Sequence, residues 1–173
     1  MTPRLRKLAL TAHVTVSVGS LGAVAAFLTL AVAGLSSQDA QTMRGAYLAM
    51  DLTTRFVIVP LVLASLLTGV VSSLGTMWGL FRYYWVVVKL LLTVLATIVL
   101  LVQTRPIRLL ADAAKGMTSF SADLRGLQMQ LVIHAAGGLL VLLVATTLSV
   151  YKPPGMTRYG ARKRDEPGAL PPP

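Results

Sequence analysis

The sequence predicts an all-α protein: a bundle of four transmembrane helices with both termini in the cytoplasm. Composition is the first observation, because 55% of the 173 residues are hydrophobic and only 13% are charged. In soluble domains, about 45–50% of the residues are apolar and about 25% are charged. Second, four segments reach the roughly 20 apolar residues that a spanning helix needs. Together they make residues 1–152 one transmembrane domain, with spans at 8–35, 54–75, 84–103 and 127–150.

The distribution of basic residues is the third observation, and it predicts the orientation. Nine basic residues lie on the side of the N-tail, the second loop and the C-tail, and five lie on the other side. Because Lys and Arg near span ends favour the cytoplasm, both termini are expected inside, in the inner or plasma membrane of the cell. The net charge of +10 therefore indicates topology and attraction to the lipid bilayer. Without a basic stripe interleaved with aromatics, no nucleic-acid partner is predicted.

Span 1 has two faces that are expected to avoid lipid. One carries His13, Ser17 and Ser20. A cleaved signal peptide is an alternative interpretation of this segment, but its apolar run exceeds the usual 7–15 residues or so. The other face, called the small-residue face below, repeats small side chains three and four apart and is suited to close helix packing: Thr15, Gly19, Gly22, Ala26, Thr29 and Ala33.

Span 2 is expected to continue from a helix that begins above the membrane. Ser36, Ser37 and Asp39 are all good residues to start that helix. Asp51 and Arg55 are four apart and can form an ion pair, and Pro60 predicts a kink that membrane helices tolerate. A small, polar packing face follows, made of Ser65, Thr68, Gly69 and Ser72.

Span 3 stacks Lys89, Thr93 and Thr97 on one face. The stretch TRPIRLLADAAKG, which follows it, predicts a separate surface helix with Thr104 as its N-cap and Pro106 near its first turn.

Span 4 carries Gln130 and His134 four residues apart. The segment AAGG at 135–138 follows and predicts another close helix contact. The tail, 153–173, is rich in Pro, Gly and charge and is expected to be disordered.

Several classes of chemistry lack their residues in this sequence. Cysteine is absent, so there is no disulfide framework, thiolate metal site or thiol chemistry. There is no Gly-rich phosphate loop, paired-carboxylate site, Ser-His-Asp set or HExxH motif. All six acidic residues fall in loops or the tail, which disfavours a carboxylate proton relay through the membrane. The sequence leaves an enzymatic activity open but favours a protein without one.

Three ionisable residues inside the spans are the candidate site residues, because such a residue costs roughly 2.5–3.5 kcal/mol on insertion. Lys89 lies about 6 Å deeper than Trp85 and can either extend to the headgroups or pair with an anionic ligand. His13 is expected at similar depth and is either a haem ligand or a neutral, hydrogen-bonded imidazole. His134 lies about 15 Å from His13 along the membrane normal, so the two cannot share one iron.

Three stretches resemble a family of uncharacterised actinobacterial integral membrane proteins over about residues 8–160: LTAHVTVSVGSLGAV, WGLFRYYWVVVKLLLTVLAT and LVIHAAGGLLVLLVATTLSVYKP. More distantly, the early histidine and the W…VKLLL motif are similar to the haem-dependent membrane protoporphyrinogen oxidase and copper-resistance D families. The oxidase resemblance implies that His13 ligates haem b and that Lys89 belongs to the site. The oxidase family's tryptophan after this histidine and its later span-3 histidine are missing.

Three functions therefore stay open. The first is haem or porphyrin binding through His13 and Lys89. The second is a non-enzymatic scaffold that associates with a membrane-protein partner or with copies of itself. The third is copper handling on the outer side, because thioethers suit Cu(I) and four methionines lie near that side: Met43, Met50, Met117 and Met129.

Overall fold

The computed structural model describes residues 2–75, 80–116 and 122–164, and their regular structure is helical apart from one isolated bridge. Four of its helical rods are long and apolar enough to cross a membrane, so the predicted all-α fold with four spans is confirmed. The elements are α1 (Pro3–Ser36), α2 (Ala40–Thr53), a π-helical turn (Thr54–Ile58), α3 (Val59–Leu74), α4 (Tyr84–Gly116), α5 (Ala122–Tyr151) and α6 (Arg158–Arg164). The second rod joins α2, the π turn and α3.

Local signals set the starts of α1 and α2. The Thr2 hydroxyl accepts a hydrogen bond from the Leu5 amide at 3.4 Å, and Pro3 occupies the first helical position, where its missing N–H costs nothing. The helix therefore begins before the predicted residue 8. The Asp39 carboxylate caps α2 by accepting from the amides of Gln41 and Thr42, as the sequence predicts.

The π turn lies immediately before Pro60. The Val59 amide donates to the Thr54 carbonyl, a wider spacing than in an α-helix. Proline has no amide hydrogen, and its ring would clash with the carbonyl four residues earlier. One wide turn accommodates that ring, and the kink predicted at Pro60 stays a prediction. The Arg55 guanidinium bonds the Asp51 carboxylate at 2.8 Å, as expected.

The predicted surface helix after span 3 is not separate, because α4 runs without a break from Tyr84 to Gly116. Thr104 is not an N-cap: its hydroxyl donates to the Leu101 carbonyl within the same helix at 2.7 Å. Pro106 lies inside the helix, where a proline removes one hydrogen bond and its ring crowds the carbonyl four residues earlier. The residues beyond it are buried, with Ile107 3% and Leu110 0% exposed, so tertiary packing maintains the helix through the proline.

The prediction that the small-residue face of α1 packs on another helix is wrong for most of its length. A Cβ added at Gly22 would meet nothing within 4 Å, and Thr15, Ala26 and Thr29 are exposed. Gly19 is the exception, since its added Cβ would lie 3.3 Å from Leu61. The face that packs includes four buried residues: Ser20, Phe27, Ala31 and Gly34.

The main core lies at the end of the bundle remote from the termini, where α1, α2, α4 and α5 meet. Tyr47, Met50 and Leu110 are almost completely enclosed there. Helix α1 packs on α3, α5 and α2, whereas α4 packs mainly on α5 and α2 and less on α3. This uneven packing leaves space between the helices of the bundle.

The first part of the C-terminal tail differs from the expected disorder. The Thr157 hydroxyl donates to the Phe81 carbonyl at 2.6 Å, and the Thr157 amide donates to the Arg82 carbonyl at 3.0 Å. Because α4 and α5 are antiparallel neighbours, the chain leaving α5 lies beside the chain entering α4, and α6 follows. Residues 165–173 lie outside the described part of the chain.

Candidate functional site

His13 faces α3 and pairs with a threonine. Its Nδ1 lies 3.1 Å from the Thr68 hydroxyl oxygen. That hydroxyl donates its one proton to the Ala64 carbonyl at 2.7 Å, so His13 Nδ1 must be the donor in the pair. The neutral ring therefore carries its proton on Nδ1 and its lone pair on Nε2. Gly69 makes room for the ring, since an added Cβ would lie 3.0 Å from His13 Cε1.

The α1–α3 contact is a short polar seam that starts at His13. One turn further, the Ser17 and Ser65 hydroxyls lie 2.8 Å apart. The predicted packing face of span 2 is therefore in contact with the His13–Ser17 face of span 1. In lipid, such interhelical hydrogen bonds hold helices together where hydrophobic burial gives no net gain.

Lys89 faces α5, in an arrangement that neither sequence interpretation included. Its Nζ donates to the Ser149 hydroxyl at 3.2 Å and lies 5.6 Å from the centroid of the Trp85 ring. Ser149 donates its own proton to the Ala145 carbonyl at 2.9 Å, so its oxygen is free to accept. Thus a hydroxyl and an aromatic face accommodate the ammonium group.

His13 and Lys89 do not line a common cavity in which a porphyrin would fit. The cavity beside His13 has a volume of about 30 Å³, and Lys89 is not among its lining residues. That volume holds one or two water molecules, whereas sites for drug-sized ligands measure about 300–1,000 Å³. The residues as arranged therefore do not fit a haem. Binding of haem b through His13 and Lys89 stays a prediction without geometric support.

A larger cavity lies between the helices, with a volume of about 320 Å³. It is called the central cavity here. Every rod contributes to its lining, and most of the contributions are apolar, for example Phe27 of α1, Ile58 of the π turn, Leu100 of α4 and Val141 of α5. Leu95 and Ile133 also line it and are 60% and 61% exposed, so the cavity borders the lipid-facing surface between α4 and α5.

Three polar residues line the central cavity, namely Thr93 and Gln103 of α4 and His134 of α5. Gln103 is only 5% exposed, and its Oε1 accepts from the Gln130 side-chain amide at 3.2 Å. Its Nε2 is buried without a hydrogen-bond partner among the described residues. His134 Nδ1 lies 2.7 Å from the Gln130 carbonyl oxygen. One hydrogen-bond network therefore connects Gln103 and His134 through Gln130.

The AAGG segment of α5 makes the predicted close contact at Ala135, which is buried in the main core, but its two glycines create space instead. Gly137 and Gly138 both line the central cavity, and a Cβ added at either would meet nothing within 4 Å. Small side chains here keep the cavity open, because a larger residue would extend into it.

The three candidate residues have different contacts, and the structure adds one residue that the sequence interpretation missed. His13 lies on the α1–α3 seam, Lys89 lies against α5, and only His134 lines the central cavity. Gln103 was missed because the predicted span ended at that residue, which placed its amide at the membrane surface. A polar side chain at the end of an apolar span was the one feature that could have drawn attention to it. Its pairing with Gln130 cannot be predicted from the sequence, because the two residues lie on different helices.

The methionines proposed for copper lie in different surroundings, and copper handling stays a prediction. Met50 is 0% exposed in the main core, and Met43 packs against the same cluster. Met129 is 48% exposed, and Met117 lies outside the described residues. In the part of the chain that the structure describes, no group of three or more His, Asp or Glu side chains could hold a metal ion.

Comparison with known proteins adds no relative. No protein-family model, curated protein or solved structure matches this chain. The resemblance to an actinobacterial membrane family and to the two more distant families therefore stays a prediction.

Proposed function

We propose that this chain is a multi-pass protein of the cell membrane that binds a small lipid-soluble molecule in its central cavity. The observation that carries the proposal is the cavity of about 320 Å³, with its largely apolar lining. Its volume lies within the range of about 300–1,000 Å³ of small-molecule sites, which combine apolar walls with a few polar groups.

Access and polarity both favour a ligand that arrives from the bilayer. The exposed side chains of Leu95 and Ile133 place one edge of the cavity at the lipid surface. The lining that the structure describes contains no charged side chain, and a buried charge without a partner is costly. Haem carries two carboxylates, so this cavity suits it poorly, and the Lys89 ammonium is engaged elsewhere.

Filling the cavity tests the proposal. Gly138→Leu should extend a side chain into the cavity without displacing any atom near its Cβ. The protein is purified in mild detergent, and the small molecules that it retains are extracted and quantified by mass spectrometry. We expect wild type to retain a lipid-soluble molecule at near-equal stoichiometry and Gly138→Leu to lose about 90% of it, because bulk in a preformed site removes its contacts.

Gly126→Leu is the matched control, since Gly126 lies on the same helix, has nothing within 4 Å of its added Cβ and does not line the cavity. It should retain the molecule as wild type does, and both variants should keep wild-type folded yield. Equal retention by both variants would refute the proposal. A Soret band that is lost in His13→Ala would instead support the porphyrin hypothesis.

A further inference from the structure

We infer that the molecule in the central cavity is neutral and presents a carbonyl oxygen to Gln103 Nε2. The inference rests on the proposed function and extends it to the chemistry of the ligand. The inference depends on Gln103, because this residue lines the cavity and only 5% of its surface is exposed.

The Gln103 amide is only half satisfied by the protein. Its oxygen accepts from Gln130, while its nitrogen has no partner among the described residues. A buried donor without an acceptor loses the hydrogen bonds that water would have given it. The membrane interior supplies little water to replace them. A hydrogen-bond acceptor on the ligand would satisfy this nitrogen once the amide turns towards the cavity, because less than 1 Å² of the nitrogen is accessible in its present position.

The acceptor on the ligand must be uncharged. Among the described residues, no cationic or anionic side chain lines the cavity, so a carboxylate or phosphate would be buried without a counterion. A carbonyl accepts a hydrogen bond without carrying a net charge. Phe27 and the aliphatic residues around it provide the surface for the apolar remainder of the molecule.

His134 lines the same cavity and offers a hydrogen-bond acceptor, whereas Gln103 offers a donor. A carbonyl oxygen can only accept, so His134 Nδ1 must donate in its contact with the Gln130 carbonyl. In the neutral ring, Nε2 then keeps a lone pair. A donor at Gln103 and an acceptor at His134 match a molecule that bears both a carbonyl and a hydroxyl group. A quinone headgroup and a monoacylglycerol ester are two membrane sources of the carbonyl.

Equilibrium binding to the full-length protein in detergent tests the carbonyl. The probes are menadione, a methylated naphthoquinone, and methylnaphthalene, the same ring system without carbonyls. A monoacylglycerol and its ether analogue form a second matched pair. In at least one pair, we expect the carbonyl member to bind about tenfold more tightly, since one hydrogen bond to a buried amide is worth that factor. Preference in the first pair identifies a quinone source, and preference in the second identifies a lipid ester.

Two glutamine variants separate the ligand contact from the glutamine pair itself. Gln103→Leu removes the unpaired nitrogen and should abolish the preference for the carbonyl member. Gln130→Leu breaks the same glutamine pair but leaves Gln103 Nε2 in place, so it should keep that preference. Both variants lose one interhelical bond, which makes Gln130→Leu the control for a purely structural effect.

The possible failures of the inference and of the proposed function are distinguishable. If Gly138→Leu reduces binding of all probes but Gln103→Leu leaves the carbonyl preference intact, or if there is no such preference, the carbonyl inference is overturned and the proposed function stands. If no probe binds, or if Gly138→Leu changes none of the affinities, both are overturned.

Discussion

At the scale of single residues, polar side chains within this membrane domain pair between helices. His13 pairs with Thr68, Ser17 with Ser65, and Lys89 with Ser149. In each of the first and third pairs, a hydroxyl accepts while donating its proton to a carbonyl of its own helix. Such hydrogen bonds contribute about 0.6 kcal/mol on average and up to about 1.7 kcal/mol in membrane proteins.

The His13–Thr68 contact gives a direct test of this pairing. Thr68→Val preserves the shape of the side chain but removes the acceptor of the His13 Nδ1 proton. We expect the free energy of unfolding in detergent to fall by about 1 kcal/mol. Thr29→Val is the control, because Thr29 is exposed and bonds only the Ala25 carbonyl of its own helix. An equal loss in both variants would contradict an interhelical role for Thr68.

The cap of α2 predicts a pH dependence outside the membrane. The Thr42 hydroxyl, together with the amides of Thr42 and Gln41, holds the pKa of the Asp39 carboxyl below its ordinary value. A lowered folded-state pKa means that this stabilisation is complete above the ordinary aspartate pKa of about 3.9 and disappears as the pH falls through the lower folded value. Asp39→Ala should therefore lower the melting temperature at pH 7 and make progressively less difference below about pH 4. An unchanged difference at low pH would contradict this linkage.

At the scale of elements, the glycines of α1 show which of its faces packs. A Cβ added at Gly34 would lie 2.8 Å from Cζ of Tyr47, and Tyr47 is 1% exposed and cannot move easily. Gly34→Ala should therefore destabilise the fold by about 1–3 kcal/mol through overpacking. Gly22→Ala should be neutral or slightly stabilising, because its Cβ meets no atom within 4 Å and alanine favours helices.

Thermal unfolding of both variants in detergent measures that difference. If Gly22→Ala lowered the melting temperature more than Gly34→Ala, the small-residue face would be the packing face after all. The same comparison tests whether α2 is seated on the end of α1, because Gly34 contacts Tyr47 across that junction.

At the scale of the whole molecule, the described part of the chain has four helices long and apolar enough to cross a membrane. The side of the membrane on which the termini lie is a prediction from the basic residues. A green fluorescent protein fused after the C-terminus should fluoresce, because it folds to its fluorescent form in the cytoplasm. Alkaline phosphatase fused there should be inactive, because it is active only outside the cytoplasm. Phosphatase fused after Ser37, in the α1–α2 connection, should be active. The reverse pattern would contradict the predicted orientation.

The sequence by itself determined the features whose causes lie within a few turns of chain. Four apolar segments define the spans, Asp39 caps α2, and Asp51 pairs with Arg55 because they lie one turn apart. Span 2 shows an irregularity before Pro60 for an equally local reason. Hydropathy, capping and i,i+4 pairing all depend on near neighbours, so these features are readable without knowledge of the fold.

Only the tertiary structure decided which helix faces meet and what space remains between them. Hydrophobicity cannot identify the buried face of a membrane helix, because lipid is as apolar as leucine, and this explains the wrong assignment of the small-residue face. The continuation of α4 through Pro106 depends on burial against other helices. The central cavity is a gap left by side chains from all four rods. Gln103 therefore becomes a residue of the cavity only when the helices pack together.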